Sequence, residues 1–250
     1  MPKKSIALPG DIKILFHGFP GRAERGYLGW SSVILVNRDK KILFDTGNWG
    51  DREELIRRLQ VEGIELEDID IVILSHLHFD HSINLPLFKR ANIILSKTAL
   101  EYASRNSGDL FVPEFMGDYL HSIQKRLTPI EGDTKLDEKI TLLETPGHTP
   151  GSISCLLEYG ELSVILAGDA IKNAYEFVSG TVDISEDREV SKNTIEKIKE
   201  VADIIIPGHD RPFYSKDGKI FYLCGSEFEF MARCCPYNEE WTKFKIGFGV

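Results

Sequence analysis

The segment Ser75-His76-Leu77-His78-Phe79-Asp80-His81 constrains this chain more than any other stretch. Three histidines and a carboxylate fall within six residues, directly after the apolar run Ile71–Leu74. Such a run reads as a buried strand, and strand ends are where α/β proteins place functional loops. A compact turn at that point can aim alternate side chains at one cavity. Neutral imidazoles with a carboxylate suit a divalent metal of intermediate softness. Three further positions fit the same pattern. His148 lies in Thr145-Pro146-Gly147-His148-Thr149-Pro150-Gly151, Asp169 in Ala167-Gly168-Asp169, and His209 in Pro207-Gly208-His209-Asp210. Each follows an apolar run and has a glycine beside it that permits tight turning. Taken singly these would be ordinary loop residues; together they make a set of ligands.

The rest of the chain is organised around similar runs. Ile12–Phe16, Ser32–Val36, Lys41–Phe44, Asn92–Leu95, Ile140–Leu143, Ile153–Leu157, Ser163–Leu166 and Asp203–Ile206 have the length and bounding turn residues of strands. Hairpins are expected at Asn37–Lys40 and Glu158–Glu161. Asp51 is expected to cap a helix, with Glu54 completing a capping box. Ala99–Tyr102, Glu114–Leu127 and Ser191–Val201 carry further helical patterns. Hairpins mixed with helical crossovers mean an α/β (α+β) chain, with two sheets or one mixed sheet covered by helices. The two halves echo each other. Ile42-Leu43-Phe44-Asp45 leads through a helix to Ile71–Leu74 and His76, as Ile165-Leu166-Ala167-Gly168-Asp169 leads to Ile204–Ile206 and His209. Duplication and simple reuse of a βαβ unit are both open.

The ordered set of motifs from about Ile12 to Phe213 resembles the metallo-beta-lactamase superfamily. The resemblance implies an αββα four-layer sandwich with metals at one edge between the sheets. It implies a first ion held by His76, His78 and His148, a second by Asp80, His81 and His209, and Asp169 bridging both. Two zinc ions are the expected cofactors, with iron or manganese open. Asp80 and Asp169 are the expected catalytic acids. Asp45, in Asp45-Thr46-Gly47, matches the strand-end acid that supports the ligand loop. His17 and His121 have no place in the motif and are expected to have local structural or surface roles.

Such a site implies a dinuclear hydrolase that uses a metal-bridging hydroxide on a small ester, lactone or thioester. A phosphodiesterase or nuclease on the same metals is the alternative, and a mononuclear iron dioxygenase is an alternative of another class. An acid at position 169 argues against penicillin hydrolysis. The 40 residues from Asp169 to His209 leave no room for the insertion of RNA-processing members. Acyl-homoserine-lactone lactonases of similar size carry a tyrosine shortly after the bridging acid, where this chain has Lys172, with Tyr175 three residues later. Phe19, Arg22, Tyr27, Lys172 and Tyr175 are the candidate substrate contacts, and the segment 106–127, with Phe111, Phe115, Met116 and Tyr119, is either a lid or a helix packed on the sandwich.

Composition sets the remaining limits. A formal net charge of −9 weighs against nucleic acid as a partner and favours a small-molecule substrate. No run is long and apolar enough for a membrane span or a signal peptide, so a cytoplasmic protein without membrane attachment is expected. None of the four cysteines forms a CxxC pair; Cys224, Cys234 and Cys235 leave a disulfide open. No linker divides the chain, so residues 1–250 are expected to form one domain. The apolar tail 221–250 is expected to pack on that domain or to form a homodimer contact.

Overall fold

In the computed structural model, which describes residues 6–104, 108–225, 227–233 and 240–247, the apolar runs pair into two large sheets. The first half of the chain forms β1 (Ile12–Phe16), a small hairpin of β2 (Arg22–Ala23) and β3 (Gly26–Tyr27), then β4 (Val33–Asn37), β5 (Lys41–Phe44), β6 (Ile71–Ile73), β7 (Asn92–Ser96) and β8 (Leu127–Ile130). Its helices are α1 (Arg52–Val61), α2 (Phe79–Ser82), α3 (Lys97–Ser104) and α4 (Met116–Ser122). The second half forms β9 (Thr134–Lys135), β10 (Ile140–Glu144), β11 (Ile153–Tyr159), β12 (Leu162–Gly168), β13 (Ile204–Pro207), β14 (Phe213–Lys216) and β15 (Lys219–Tyr222), with α5 (Ala174–Ser179) and α6 (Arg188–Val201). A separate ribbon, β16 (Glu227–Ala232) and β17 (Thr242–Gly247), follows. The sheet orders are β1-β4-β5-β6-β7-β8 and β15-β14-β13-β12-β11-β10-β9.

Side-chain alternation explains the layering. In the first sheet Ile34, Val36, Ile42, Phe44, Ile73 and Ile94 point inward, against Leu142, Ile153, Cys155, Leu157, Leu166 and Ile206 of the second. Their neighbours Val33, Leu35, Leu43, Val72 and Leu74 point outward, onto Leu55 and Leu59 of α1 and Met116 and Leu120 of α4. On the other outer face Ile165, Ala167 and Ile205 pack on Phe177 of α5 and Ile195 and Ile198 of α6. Strands buried on both faces need apolar residues at every position, which is why they read as continuous runs. The result is the expected αββα sandwich. Both expected hairpins form, with Asn37 opposite Lys41 and Tyr159 opposite Leu162.

Several local expectations are corrected. Asp51 makes no side-chain cap for α1. The capping box lies one turn earlier: Asn48 caps the 3-10 turn Trp49–Asp51, and Asp51 accepts from the Asn48 N–H. Glu54 instead binds Arg57 and Arg58. The helix expected over Glu114–Leu127 is shorter, because the chain turns at Gln124–Arg126 and enters β8. Pro129 is tolerated there because β8 is an edge strand. Within the tail, β15 joins the second sheet, while Phe228 and Phe230 of β16 pack on Phe19 and Trp30. Cys155 and Cys224 carry free thiols, and Cys234 and Cys235 lie outside the described residues, as does Asn106. Among the described residues no helix is long and apolar enough to cross a membrane.

One polar contact joins the sheets at the far end from the histidines. Arg38 Nε donates to Asp11 Oδ2 at 2.6 Å, and the Tyr159 hydroxyl donates to the same oxygen at 2.9 Å. Burial opposes the Asp11 charge, but these two bonds outweigh it and hold the carboxyl below its ordinary value of 3.8. A depressed folded-state pKa stabilises the fold fully above the unfolded value and is lost as pH falls through the folded one. Asp11→Asn is expected to cost about 1 kcal/mol or less at pH 7, because the pair is partly exposed and screened. The difference from the unaltered chain should vanish as pH drops below about 4, measurable by urea denaturation at a series of pH values.

Candidate metal centre

The ligand residues gather where strands of both sheets end. His76 follows β6, His78 and Asp80 begin the short α2 with His81 inside it, Asp169 follows β12 and His209 follows β13. His148 arrives on the turn between β10 and β11. Nitrogen and oxygen atoms of His76, His78 and His148 lie within 4.8 Å of one another, as do those of His76, His81 and Asp169 and those of Asp80, His81 and His209. Asp169 sits between the groups: Oδ2 is 3.2 Å from His148 Nε2, and Oδ1 is 3.2 Å from His81 Nε2 and 3.3 Å from His209 Nε2. Gly208 makes room for this, since a Cβ there would fall 2.1 Å from Asp169 Oδ1.

Each imidazole is oriented by a partner on its outer nitrogen. His148 Nδ1 donates to the Ile184 carbonyl at 2.8 Å, and His209 Nδ1 to the Trp30 carbonyl at 3.0 Å. His78 Nε2 meets Asp109 Oδ2 at 3.0 Å, and His81 Nδ1 meets Asp45 Oδ2 at 2.7 Å. His76 Nδ1 lies 2.9 Å from the Ser75 hydroxyl, which in turn donates to Asp45 Oδ2 at 2.8 Å. Fixing one ring nitrogen fixes the tautomer and turns the other toward the centre. Asp45 also accepts from the Ser75 N–H, and its backbone sits in the left-handed region at φ 61°. A non-glycine residue held there is strained, and the strain is offset by these bonds.

The donor set fits divalent metal ions. His76 Nε2, His81 Nε2 and Asp169 Oδ1 are buried without a hydrogen-bond partner, and all three face the centre. Burial, together with the neighbouring imidazoles, pushes His76 well below the ordinary histidine range, and burial does the same to His148, leaving both with free lone pairs. At His81 burial opposes charge, but Asp169, Asp80 and Asp45 outweigh it, so the carboxylates create a demand for positive charge. A cation can meet that demand in place of a proton.

A cavity of about 260 Å³ opens over this cluster. All five expected substrate contacts line it, Phe19, Arg22, Tyr27, Lys172 and Tyr175. Phe19 is buried, Tyr175 is exposed at the mouth, and the Arg22 guanidinium lies 5.3 Å from the centre of the Tyr27 ring. Phe111 also lines the cavity, while Met116 is buried in the outer core, so the segment containing them is both wall and packed helix. His17 is half-buried away from the cluster and His121 is exposed on α4.

Three positioning groups were missed from the sequence. Asp109 orients His78 from 31 residues away and receives the Tyr102 hydroxyl at 3.2 Å. Burial opposes its charge, yet the bonds from His78, the Phe111 N–H and Tyr102 hold its carboxyl down at about 2. Glu176, fully buried, pairs with Lys172 at 3.0 Å and accepts from its N–H. Ser75 relays Asp45 to His76. Only Ser75 carried a signal, by standing next to the motif.

Asp109→Asn is expected to weaken metal binding at the His76, His78 and His148 group about tenfold or more. Titration calorimetry on the metal-free variant would read this, and unchanged affinity would remove Asp109 from the support of His78.

Comparison with known proteins agrees with this geometry. The sequence profile described as metallo-beta-lactamase superfamily matches residues 26–209. Metallo-beta-lactamase domain-containing protein 1 of Xenopus laevis is 32% identical over 217 residues, covering 85% of this chain and 86% of its own length. An N-acyl homoserine lactonase of a Bacillus species is 31% identical over 165 residues, covering 64% of this chain but 63% of the lactonase. Among solved structures, a metallo-beta-lactamase protein of Thermotoga maritima superposes with a TM-score of 0.65 at 25% identity, covering 82% of this chain and 99% of that one. An N-acyl homoserine lactone hydrolase with N-hexanoyl-L-homoserine at its catalytic metal centre superposes with a TM-score of 0.62 at 26% identity, covering 72% of this chain and 80% of that one. This chain belongs to the metallo-beta-lactamase superfamily of metal-dependent hydrolases.

Proposed function

We propose that this protein is a dinuclear zinc hydrolase acting on a small ester, lactone or thioester. The observation that carries the reading is the five imidazoles, each tied outward and aimed inward, around the buried Asp169 at the floor of a cavity. In this reading His76, His78 and His148 hold one ion, Asp80, His81 and His209 hold the other, and Asp169 serves both. The ions supply Lewis acidity and a nucleophile available near neutral pH.

The chain's own residues do the rest. Asp80 Oδ2 stands 3.3 Å from His209 Nε2 on the cavity side, where it can take a proton from the attacking group and return it to the leaving oxygen or sulfur. Phe19, Tyr27 and Phe111 line the cavity and offer apolar contact to the body of the substrate. Tyr175 and Arg22 stand at the mouth. Lys172 reaches the cavity with its charge shared by Glu176, so it acts as a hydrogen-bond donor of restrained position. The lactone hydrolase relatives support a cyclic or linear acyl substrate.

Metal analysis should return two zinc ions per chain. A panel of a lactone, a thioester, an aryl ester and a bis-aryl phosphodiester should show cleavage of at least one acyl substrate. Cleavage of the phosphodiester alone would favour a phosphodiesterase, and one iron per chain with oxygen uptake would overturn the hydrolase reading. Asp169→Ala and His148→Ala should each lose metal and activity together; full activity with full metal content would sink the proposed ligand set.

A further inference from the structure

The two groups of ligands share Asp45, which holds His81 directly and His76 through Ser75, but their remaining supports come from different parts of the molecule. His78 rests on Asp109, His148 on Ile184 and His76 on Ser75. Among the described residues, the contacts of these supports with their histidines run through Asp109, the Ile184 carbonyl and Ser75, all outside the β16–β17 ribbon. The second group depends instead on residues 30–32, just before β4. The Trp30 carbonyl accepts from His209 Nδ1, and the Ser31 hydroxyl donates to the Asp80 carbonyl. Ser32 bonds to both strand-end residues that precede His209, through its N–H to the Gly208 carbonyl and its hydroxyl to the Pro207 carbonyl. Gly18 closes the same seam, since a Cβ there would lie 2.6 Å from His209 Cα.

The ribbon grips this segment from outside. Phe230 stacks on Trp30 with centroids 5.3 Å apart and planes 18° from parallel, and meets Phe19 edge-on at 5.2 Å. Phe228 meets Phe19 edge-on at 4.7 Å. Phe19 and Trp30 are themselves bridged by a backbone hydrogen bond of 2.9 Å. A second tie comes from Arg211, two residues beyond His209. Its guanidinium donates to the Glu227 carbonyl and lies 4.2 Å from the centre of the Phe228 ring. The ribbon is thus fastened to the His209 loop on one side and to the Trp30 ring on the other.

We infer that the C-terminal ribbon is a clasp that positions Trp30, and through it His209, so that Phe230 and Arg211 set the affinity of the Asp80, His81 and His209 site without affecting the His76, His78 and His148 site. They are positioning residues, acting through the Trp30 carbonyl and the His209 loop. Removing the Phe230 ring frees Trp30 to shift, and an imidazole whose outer partner moves loses its aim at the ion. The same clasp holds Phe19 against the cavity, so the ribbon also sets one wall of the substrate pocket. This inference rests on the dinuclear reading given above.

The test uses the metal-free full-length chain, titrated with zinc against a chromogenic chelator and, separately, with cobalt(II) followed by its visible spectrum. Phe230→Ala and Arg211→Gln are each expected to bind one ion as the unaltered chain does and the other about tenfold or more weaker. Phe230→Tyr, which restores the stacked ring, should restore the second affinity. Circular dichroism checks that each variant is folded, and if Phe230→Ala does not fold, Arg211→Gln and Phe230→Leu carry the test. Equal weakening of both ions, or two unchanged affinities in folded variants, would overturn the clasp. Fewer than two ions in the unaltered chain would overturn the dinuclear reading instead.

Discussion

The loop that carries His76 and His81 hangs on the buried carboxylate of Asp45. It accepts hydrogen bonds from the Ser75 N–H, the Ser75 hydroxyl and the His81 ring, and so pins both ends of the ligand loop to the end of β5. A carboxylate buried this deeply costs free energy unless its oxygens are fully used. Here burial raises its pKa and the His81 ring opposes that rise. The strained backbone of Asp45 is tolerated because the same contacts that hold the side chain also hold the turn. The short α2 is far too short to be stable alone, and Asp45 joins Thr46, Ser31 and the Phe111 carbonyl in fixing it.

The cavity inherits its character from the two sheets. Their opposed inner faces are apolar through the middle of the sandwich, and polar groups gather where strands end. Loops from both sheets therefore meet at one edge, and the groups they carry are desolvated without being inside the core. That position strengthens electrostatic interactions while leaving an opening for a ligand. Lys172 lines the cavity while paired with buried Glu176, which bears on recognition if the proposed substrate meets it there. A lysine whose charge is already answered discriminates by position more than by net attraction.

Much of this was legible in the chain. The strands were readable because residues buried on both faces leave continuous apolar runs, and the seven candidate ligands could be picked out because each stands beside a glycine or within one dense motif. β8 was hidden because Pro129 speaks against a strand unless its edge position is known. The cap of α1 was misplaced because Asp51 and Asn48 both suit a cap, and only the intervening 3-10 turn decides between them. Glu176 lies only four residues from its partner Lys172, but nothing in the chain marks the pair as facing the cavity. Asp109 and the Phe228 and Phe230 contacts were invisible for a common reason. They are partners across long sequence separations with no periodicity, and only the assembled sandwich brings them together. The ribbon of the tail sets Phe228 and Phe230 against Phe19 and Trp30, a contact that the apolar composition of the tail did not specify.

The repeated strand–acid–helix–strand–histidine pattern also bears on how the molecule is assembled. In both halves a hairpin passes into a parallel strand pair: β4, β5 and β6 in one sheet, β11, β12 and β13 in the other. Each half delivers an acid from its middle strand and a histidine from the next. Neither group of ligands is complete within one half. His76 and His78 wait for His148, and Asp80 and His81 wait for His209. Ions bound at this seam would cross-link the two sheets and close chain loops of great length, the entropic role that a disulfide has in smaller secreted domains. Because each group draws ligands from both halves, a complete site exists only where the two halves are docked.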